Sequence, residues 1–452
     1  MYNTLKRKMK ITYYKNILDE NKFNIKNTWS ILKQAIGKLN DKSSYPNSFT
    51  INNLSITDKQ EAAEGFNNFF SKIGVTTSHN VPNSNKSFSS YMSTSVVDSV
   101  FIEPVSPSDV ISVANKLKPK LSCGYDNIST KLLKVSIDHI IEPITHVINR
   151  SFDTGIVPKQ MKIAKVIPIH KSSDQSLLKY YRPISLLPAF SKLIEKLMYN
   201  KISSFFTTKN LFYKHQYGFR NNHSTVHPVL HFLNHCADSI SNNSSNLTLA
   251  IFCDLSKALD VLNHDILLRK LNSYGIRGIA NQWFKNYLTG RTQFVELDGF
   301  TSSSVEIECG VPQGSILGPL LYLIYVNDIY NSCNGTILSF ADDTTIYSSN
   351  SNLNQLYHDA NIQINKLFDW FCTNRLSLNA GKTNYIVIRP KHMRCDLTGH
   401  DIFIQNTKLK RIGNDCNEKA VKFLGIYIDE NLTWEYHLSN INNNISSALF
   451  AI

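Results

Sequence analysis

The chain has 452 residues, of which 42% are hydrophobic and 11% aromatic, as is typical of a globular protein with enough apolar side chains for two or three domains. Lys and Arg total 48 against 35 acidic residues, and the net charge of +13 is spread along the chain rather than gathered in a tail. This excess favours a polyanionic partner such as nucleic acid, although basic proteins without such a partner share it.

Cysteine spacing and hydropathy exclude several classes of protein. The eight cysteines stand singly without a C-x-x-C pair, which argues against a zinc site or a disulfide framework and favours a reducing compartment. The N-terminus lacks the apolar segment of a secretory signal, and no uncharged apolar run reaches 18 residues. We therefore expect an intracellular protein of the nucleus and cytoplasm, with no membrane association and no implied protein partner.

Residues 1–99 are predicted to form a helical connector and a linker. Thr57 and Gln60 have the spacing of a helix-capping box. Beyond them, apolar side chains recur at helical spacing before Gly74, at Phe66, Phe69, Phe70 and Ile73. The residues 76–99, rich in Ser, Asn and Thr, predict a flexible linker. This part of the chain contains no catalytic constellation.

Basic residues mark the next part of the chain. A strand-like run ends at Lys171, and a second run begins near Arg182 before an amphipathic helix over about 188–205. Because lysine acts as a point charge and arginine as a fork, this strand–turn–strand could close over a triphosphate. The alternative is a solvated basic face. Shortly afterwards, a segment pairs aromatic with basic side chains suited to holding a template: Tyr217, Phe219 and Arg220.

Asp254 directly follows residues 247–253, a run that predicts a buried strand. Proteins of the α/β class place catalytic groups at such strand ends. A carboxylate at the end of an apolar strand is unusual. A second acid in a similarly unusual position further along the chain strengthens the interpretation of both as site residues.

A predicted hairpin leads to a glycine-flanked glutamine. Residues 291–297 and 304–309 are predicted to pair around an Asp-Gly turn. They deliver Gln313, which stands before Gly314 in a loop that allows close backbone approach by a strand or base pair. An apolar helix over residues 320–329 is then expected to pack under the sheet.

The second acidic position interrupts the apolar and β-branched run 337–347. Asn334-Gly335 is a turn signal that favours strands on either side, so Asp342 and Asp343 would lie at the tip of a hairpin. Successive strand residues point to opposite faces, so only one of the two can point squarely into a site. Two acids there repel each other, and a hard divalent cation would relieve the repulsion. The alternative is a solvated turn.

Lys382 lies in Gly381-Lys382-Thr383, which ends like a phosphate-binding P-loop. That motif needs a glycine five positions before Gly381, and the residue there is Leu376. The P-loop interpretation therefore fails. A lysine beside a metal-bound triphosphate could still donate a proton to the leaving pyrophosphate, while the alternative is a solvated lysine in a turn.

An ordered set of motifs resembles the reverse transcriptases of non-long-terminal-repeat retrotransposons, the jockey-like and related LINE-type elements. The motifs are YRPISLL, QYGFR, DLSKALD, GVPQGSILGPLL, FADD, LSLNAGKT and FLGIYID, across roughly residues 100–435. The resemblance implies metal-binding roles for Asp254, Asp342 and Asp343. It also implies nucleotide contacts for Lys171, Arg182, Gln313 and Lys382.

Three departures from the family pattern stand out. Leu259 occupies a position where the family usually has a phenylalanine that resembles a gate against a ribose 2′-hydroxyl. We also expect that the chain lacks most of the thumb and a preceding endonuclease, as a fragment of an element would. These departures put sugar discrimination and activity in question.

The resemblance implies an α+β right-hand polymerase fold. We expect a connector and linker (1–99), fingers (100–248), a palm (249–430) and the start of a truncated thumb (431–452), with the reverse transcriptase domain at about 151–428. The predicted function is RNA-directed DNA polymerase, with two Mg²⁺ ions, or Mn²⁺ instead, acting on an RNA template, a DNA primer and dNTPs. The alternatives are a catalytically inactive nucleic-acid-binding remnant and, more weakly, a two-metal nuclease.

Overall fold

The computed structural model describes residues 2–35, 45–51, 53–92, 95–393 and 395–451. Within them the helices, in chain order, are α1 (Tyr2–Glu20), α2 (Ile25–Ala35), α3 (Lys59–His79), α4 (Pro107–Lys116), α5 (Thr130–Thr154), α6 (Ala189–Thr208), α7 (Val226–Asn242), α8 (His264–Ser273), α9 (Gly278–Leu288), α10 (Leu317–Tyr325), α11 (Leu353–Thr373) and α12 (Glu435–Ala451). None of these helices is both long and apolar enough to cross a membrane.

The strands of the described residues are β1 (Phe49–Ile51), β2 (Leu54–Ile56), β3 (Ile163–His170), β4 (Tyr181–Leu186), β5 (Leu247–Cys253), β6 (Leu255–Ser256), β7 (Arg291–Leu297), β8 (Phe300–Thr301), β9 (Val305–Ile307), β10 (Thr336–Phe340), β11 (Asp343–Asn350), β12 (Ser377–Leu378), β13 (Asn384–Ile388), β14 (Phe403–Ile404), β15 (Thr407–Lys408), β16 (Lys410–Ile412), β17 (Ala420–Phe423) and β18 (Ile426–Asp429). Helices and sheets are mixed in one chain, which confirms the predicted α+β class.

The central sheet has the strand order β10-β11-β5-β13-β16, with β5 antiparallel to both of its neighbours. Its two faces are covered by different parts of the chain. Leu249 and Ile251 belong to the main core with α6, α8, α10 and α11, whereas Ala250 packs with Phe232 of α7 on the other face. Burial on both faces explains why β5 is continuously apolar instead of alternating with polar residues.

A second sheet has the strand order β4-β3-β7-β8, and β9 pairs with the same strand β7. β3 runs antiparallel to β4 and parallel to β7, which comes more than 120 residues later in the chain. Helix α3 covers this sheet by packing Phe66 and Phe70 against Val166, Tyr181 and Val295. The predicted hairpin over 291–309 is therefore present, and it is part of a larger sheet.

The N-terminal part differs from the sequence-based predictions in three respects. The cap of α3 is Asp58, whose carboxylate accepts a hydrogen bond from the Glu61 N–H at 2.7 Å, and not Thr57. Gln60 instead donates to the Thr301 carbonyl at 2.8 Å, which takes it away from the helix end. The hairpin β1–β2 was not predicted, and α3 continues past Gly74 to His79.

The predicted flexible linker over 76–99 is wrong for those of its residues that the structure describes; residues 93 and 94 lie outside them. The range begins inside α3 and contains a 3-10 turn that buries Tyr91. The Val96 N–H donates to the Ser273 carbonyl at 2.9 Å. The polar composition of this range predicted a linker. In the structure, its backbone is instead hydrogen-bonded to the rest of the protein.

The segment around α10 also differs from prediction. The helix begins at Leu317 and ends at Tyr325, four residues before the predicted end. Just beyond its end, the Asn327 side chain accepts from the Tyr213 N–H and donates to the Leu211 carbonyl, both at 2.7 Å. A 3-10 turn over Ile329–Asn331, and not a strand, precedes Asn334-Gly335, although β10 follows as expected.

A fully buried ion pair joins α8 to the turn after α10. Lys270 Nζ lies 2.7 Å from Asp328 Oδ1 and donates to the Tyr325 carbonyl at 2.6 Å. Its ammonium also lies 5.3 Å from the centre of the Trp370 ring in α11. Burial raises the pKa of Asp328 and lowers that of Lys270, and their pairing opposes both shifts. Removing one partner would leave the other charge buried in the core without a counter-ion.

We expect D328A to lower the free energy of unfolding by about 3–5 kcal/mol, because it leaves a buried ammonium without its carboxylate. The control is E418A, which breaks the exposed pair with Lys410 and should cost about 0–1 kcal/mol. Urea unfolding followed by circular dichroism measures both. Equal losses for the two variants would contradict the assigned importance of the buried pair.

Candidate active site

The pairing of β5 with β11 brings the predicted acids to one end of the central sheet. Cys253 pairs with Thr344 in antiparallel register, so Asp254 and Asp343, each one residue beyond that pair, are neighbours. Asp342 lies in the turn between β10 and β11, where Phe340 pairs with Asp343. The structure therefore places the acids at a hairpin tip and a strand end, as the sequence predicted.

A buried glutamine holds the turn that carries Asp342. Gln216 Oε1 accepts from the Ala341 N–H at 3.0 Å, and its Nε2 donates to the Ala341 carbonyl at 3.3 Å. Ala341 has φ = 57°, a left-handed conformation that costs a non-glycine residue free energy unless its surroundings impose it. A Cβ at Gly218 would lie 1.9 Å from the Ala341 nitrogen, so only glycine permits this close approach.

The segment predicted to hold a template therefore also supports the turn. The Tyr217 N–H donates to the Ser339 carbonyl at 2.8 Å, which attaches the segment to β10. Arg220 donates to the carbonyls of Tyr213 and Gln216 at 3.2 and 3.1 Å, so its guanidinium is partly engaged within its own loop. Phe219 is exposed and available for stacking. This supporting role was not predicted from the sequence.

The neighbouring acids influence the ionisation of Asp254 and Asp343. Partial burial first, then the Asp342 and Asp254 carboxylates, raise the pKa of Asp343 from 3.8 to about 6. Burial also raises the pKa of Asp254, although Lys382 and Lys171 oppose the shift. The site therefore concentrates negative charge that a cation would relieve.

Four cations lie within electrostatic reach of this region. Lys171 and Arg182 stand at the loop end of the β3–β4 hairpin, where Ile169 pairs with Arg182. Both of them, together with Lys382, influence Lys257, a residue that the sequence reasoning passed over. Burial first and these like charges next lower the pKa of Lys257, while Asp260 opposes the shift. Its position three residues after Asp254, within the motif DLSKALD, was the available signal.

The loop that carries Lys382 is bonded to the backbone of Asp254. The Asn379 N–H donates to the Asp254 carbonyl at 2.8 Å, and the Asp254 N–H donates to Thr383 Oγ1 at 3.3 Å. These two bonds place Lys382 beside the carboxylate, which the failed P-loop pattern could not have indicated.

The glycine-flanked glutamine is attached to the second sheet. The Ser185 N–H of β4 donates to the Gln313 carbonyl at 2.7 Å. Gly314 has φ = 122°, and a Cβ there would lie 2.6 Å from the Ser185 carbonyl oxygen, so close approach requires glycine. Leu259 is partly buried against the main core, and its carbonyl accepts from the Val311 N–H at 3.0 Å. The loop is thus bonded to β4 of the second sheet and to the segment that follows β5 and β6.

The donor set fits a hard divalent ion that also binds substrate. Among the residues that the structure describes, no three His, Cys, Asp or Glu side chains are arranged to hold a metal ion by themselves. Mg²⁺ does not require such a cage, because one or two carboxylates, water and substrate phosphates complete its octahedron. Neighbouring carboxylates with cations close by could hold a divalent metal together with a phosphate-bearing substrate.

Comparison with known proteins agrees with this site. Residues 169–428, more than half of the chain, match the family described as reverse transcriptase (RNA-dependent DNA polymerase). The chain therefore belongs to the reverse transcriptase family.

Three curated relatives come from mobile elements of Drosophila species. The RNA-directed DNA polymerase from mobile element jockey of Drosophila funebris is 27% identical over 356 residues, covering 77% of this chain and 37% of the relative. The probable RNA-directed DNA polymerases from transposon BS and the X-element of Drosophila melanogaster are 29% and 28% identical. Those matches cover 75% and 76% of this chain and 37% of each relative. The chain thus spans little more than a third of the length of these relatives.

The raised pKa of Asp343 predicts how stability depends on pH. A protonated Asp343 favours the folded state, so its contribution is fully present below the unfolded pKa of 3.8 and is lost as pH rises through about 6. We expect D343N to reduce the loss of stability of metal-free protein between pH 4 and pH 6. The effect should be small, because solvent that still reaches the partly buried Asp343 side chain screens its interactions. Thermal unfolding in a chelator, compared between wild type and variant, measures it.

Added Mg²⁺ should raise the unfolding temperature of the wild type more at neutral pH than below pH 5. Below pH 5, protons compete with the metal ion for the same carboxylates. Identical pH profiles for wild type and D343N would contradict the assigned pKa.

Proposed function

We propose that the chain is the RNA-directed DNA polymerase of a non-long-terminal-repeat retrotransposon. It would transfer nucleotides from dNTPs to the 3′-hydroxyl of a DNA primer on an RNA template. The observation that carries the proposal is the juxtaposition of Asp254, Asp342 and Asp343 with a group of cations. Carboxylates hold metal ions, and cations receive the triphosphate of the nucleotide.

In this proposal the central sheet is the palm of a right-hand polymerase, and the second sheet forms part of the fingers. Because β7 pairs with β3, and β8 and β9 pair with β7, the fingers sheet includes residues 291–307 in addition to the expected range 100–248. α12 would begin the thumb. The loop containing Gln313, which is bonded to β4 and to Leu259, would border the nucleotide site.

Asp254 and Asp342, with Asp343 as a looser third, would hold two Mg²⁺ ions, with Mn²⁺ as an alternative. Such ions lower the pKa of the primer hydroxyl and stabilise the departing pyrophosphate. Lys171, Arg182 and Lys257 would neutralise the triphosphate and orient it. Lys382 Nζ would give a proton to the leaving pyrophosphate oxygen.

Nucleic acid would be bound outside this cluster, through phosphate contacts supplied by the dispersed positive charge. Exposed Phe219 and partly buried Tyr217 would stack on template bases. Gln313 would lie against the incoming nucleotide and its template base. Primer extension on an RNA template by the purified chain tests the proposed activity directly.

We expect D342N to abolish primer extension while leaving the affinity for primer–template nearly unchanged, because a metal ligand is lost but the phosphate contacts remain. Extension and filter binding measure the two quantities. The matched control is D369N, which changes an exposed aspartate of α11 and should extend primers normally. Full extension by D342N would contradict the assigned metal role, and a loss of primer–template affinity that matches the loss of extension would assign Asp342 to nucleic-acid binding instead.

Leu259 generates a prediction about sugar selectivity. Its branched chain is smaller and more flexible than the phenylalanine of the family, and lost shape contact is worth about 1–3 kcal/mol of discrimination. We expect L259F to incorporate ribonucleotides less readily than the wild type, with an unchanged rate for deoxynucleotides. The ratio of kcat/KM for dNTP and rNTP measures this. An unchanged ratio would make Leu259 a core residue only.

A further inference from the structure

Gln313 makes a side-chain contact that its proposed role beside the nucleotide does not explain. Its Nε2 lies 2.8 Å from both carboxylate oxygens of Asp260. Asp260 is not one of the clustered acids, since it ends the motif DLSKALD six residues after Asp254. The side chain that is proposed to contact the nucleotide is therefore hydrogen-bonded to a carboxylate.

This contact determines which end of the amide faces outward. Burial raises the pKa of Asp260, but the hydrogen bond from Gln313 and the nearby Lys257 oppose that shift and favour the ionised form. An ionised carboxylate only accepts hydrogen bonds, so the amide turns its NH₂ toward Asp260 and its oxygen away. Gln313 is partly exposed, and among the described residues none donates to its Oε1. The amide thus presents an acceptor to the open side. A triphosphate offers only acceptors, so this oxygen suits a hydroxyl or amino donor on the nucleotide or base pair.

Asp260 is itself immobilised by its backbone. A Cβ at Gly74 of α3 would lie 2.1 Å from the Asp260 carbonyl oxygen, and one at Gly310 would lie 2.5 Å from it. The Cys309 thiol approaches the same oxygen at 3.5 Å. Behind the pair lies a cavity of about 40 Å³, lined also by His264 and Arg291, which is room for ordered water but not for a side chain. These contacts hold Asp260 in place, so its carboxylate can fix the orientation of the Gln313 amide.

We propose that Asp260 is a positioning residue that fixes the orientation of the Gln313 amide, so that its oxygen faces the incoming nucleotide. The proposal rests on the proposed polymerase function and adds a residue that neither the sequence reasoning nor the family resemblance assigned. Its chemical consequence is selectivity for a hydrogen-bond donor at that position.

The variant D260N keeps the size of the side chain but allows the Gln313 amide to turn either way, because a carboxamide both donates and accepts. We expect the nucleotide KM in primer extension to rise roughly tenfold, the lower end of what a hydrogen bond to a charged group is worth. kcat, primer–template affinity and thermal stability should stay near those of the wild type. The matched control D265N alters an exposed aspartate in the first turn of α8 and should leave KM unchanged.

A swapped pair separates positioning from a merely structural role. Q313E places two carboxylates in contact and should raise KM more than D260N does. In D260N/Q313E the asparagine donates to the new carboxylate, so the hydrogen bond, the net charge and the outward acceptor are all restored. We expect the double variant to recover most of the lost nucleotide affinity, because the two residues act as one unit.

If D260N keeps the wild-type KM, or if the effects of D260N and Q313E multiply in the double variant, the positioning role is overturned while the polymerase function stands. If the wild type fails both to extend primers and to bind the next correct nucleotide on a chain-terminated primer, the proposed function is overturned and the inference with it.

Discussion

The antiparallel pairing of β5 with β11 is the constraint on which the rest of the structure depends. Its register sets Asp254 beside Asp343, and a slip of one residue would turn every side chain of the strand to the other face. Such a slip is prevented because both faces of β5 are buried, by the main core on one side and by α7 on the other. The apolar run that makes the strand therefore also positions the acids.

The strained turn at Asp342 shows how a scaffold can sustain an unfavourable local conformation. Ala341 is left-handed, the acids repel each other, and neither feature would persist in an isolated hairpin. The buried Gln216 bonds both polar groups of the Ala341 backbone, and the segment carrying it is paired to β10. Free energy gained in the surrounding packing thus maintains a geometry that the site needs.

The net charge of +13 is less informative than its local distribution. Lys171 and Lys382 come from distant parts of the chain and influence the ionisation of Asp254, and together with Arg182 they influence Lys257. At the same time, Lys270 is buried in an ion pair with Asp328 and Arg389 is bonded to Glu430, so these charges serve the core. Composition indicates a polyanionic partner, whereas only the fold distinguishes binding charges from structural ones.

By itself, the sequence determined the features that are local or carried by motifs. The strand before Asp254, the hairpin tip with Asp342 and Asp343, the β3–β4 hairpin and the reverse transcriptase family were all predictable from patterns within short segments. Patterns within short segments gave wrong predictions where contacts with distant residues determine the local structure. The examples are the cap of α3 and the described part of residues 76–99. The parallel pairing of β3 with β7, the clamp of Gln216 on Ala341 and the contact between Gln313 and Asp260 join residues far apart in the chain. Only the tertiary structure decided them, because a hydrogen bond depends on where both partners lie in space and local sequence specifies only one of them.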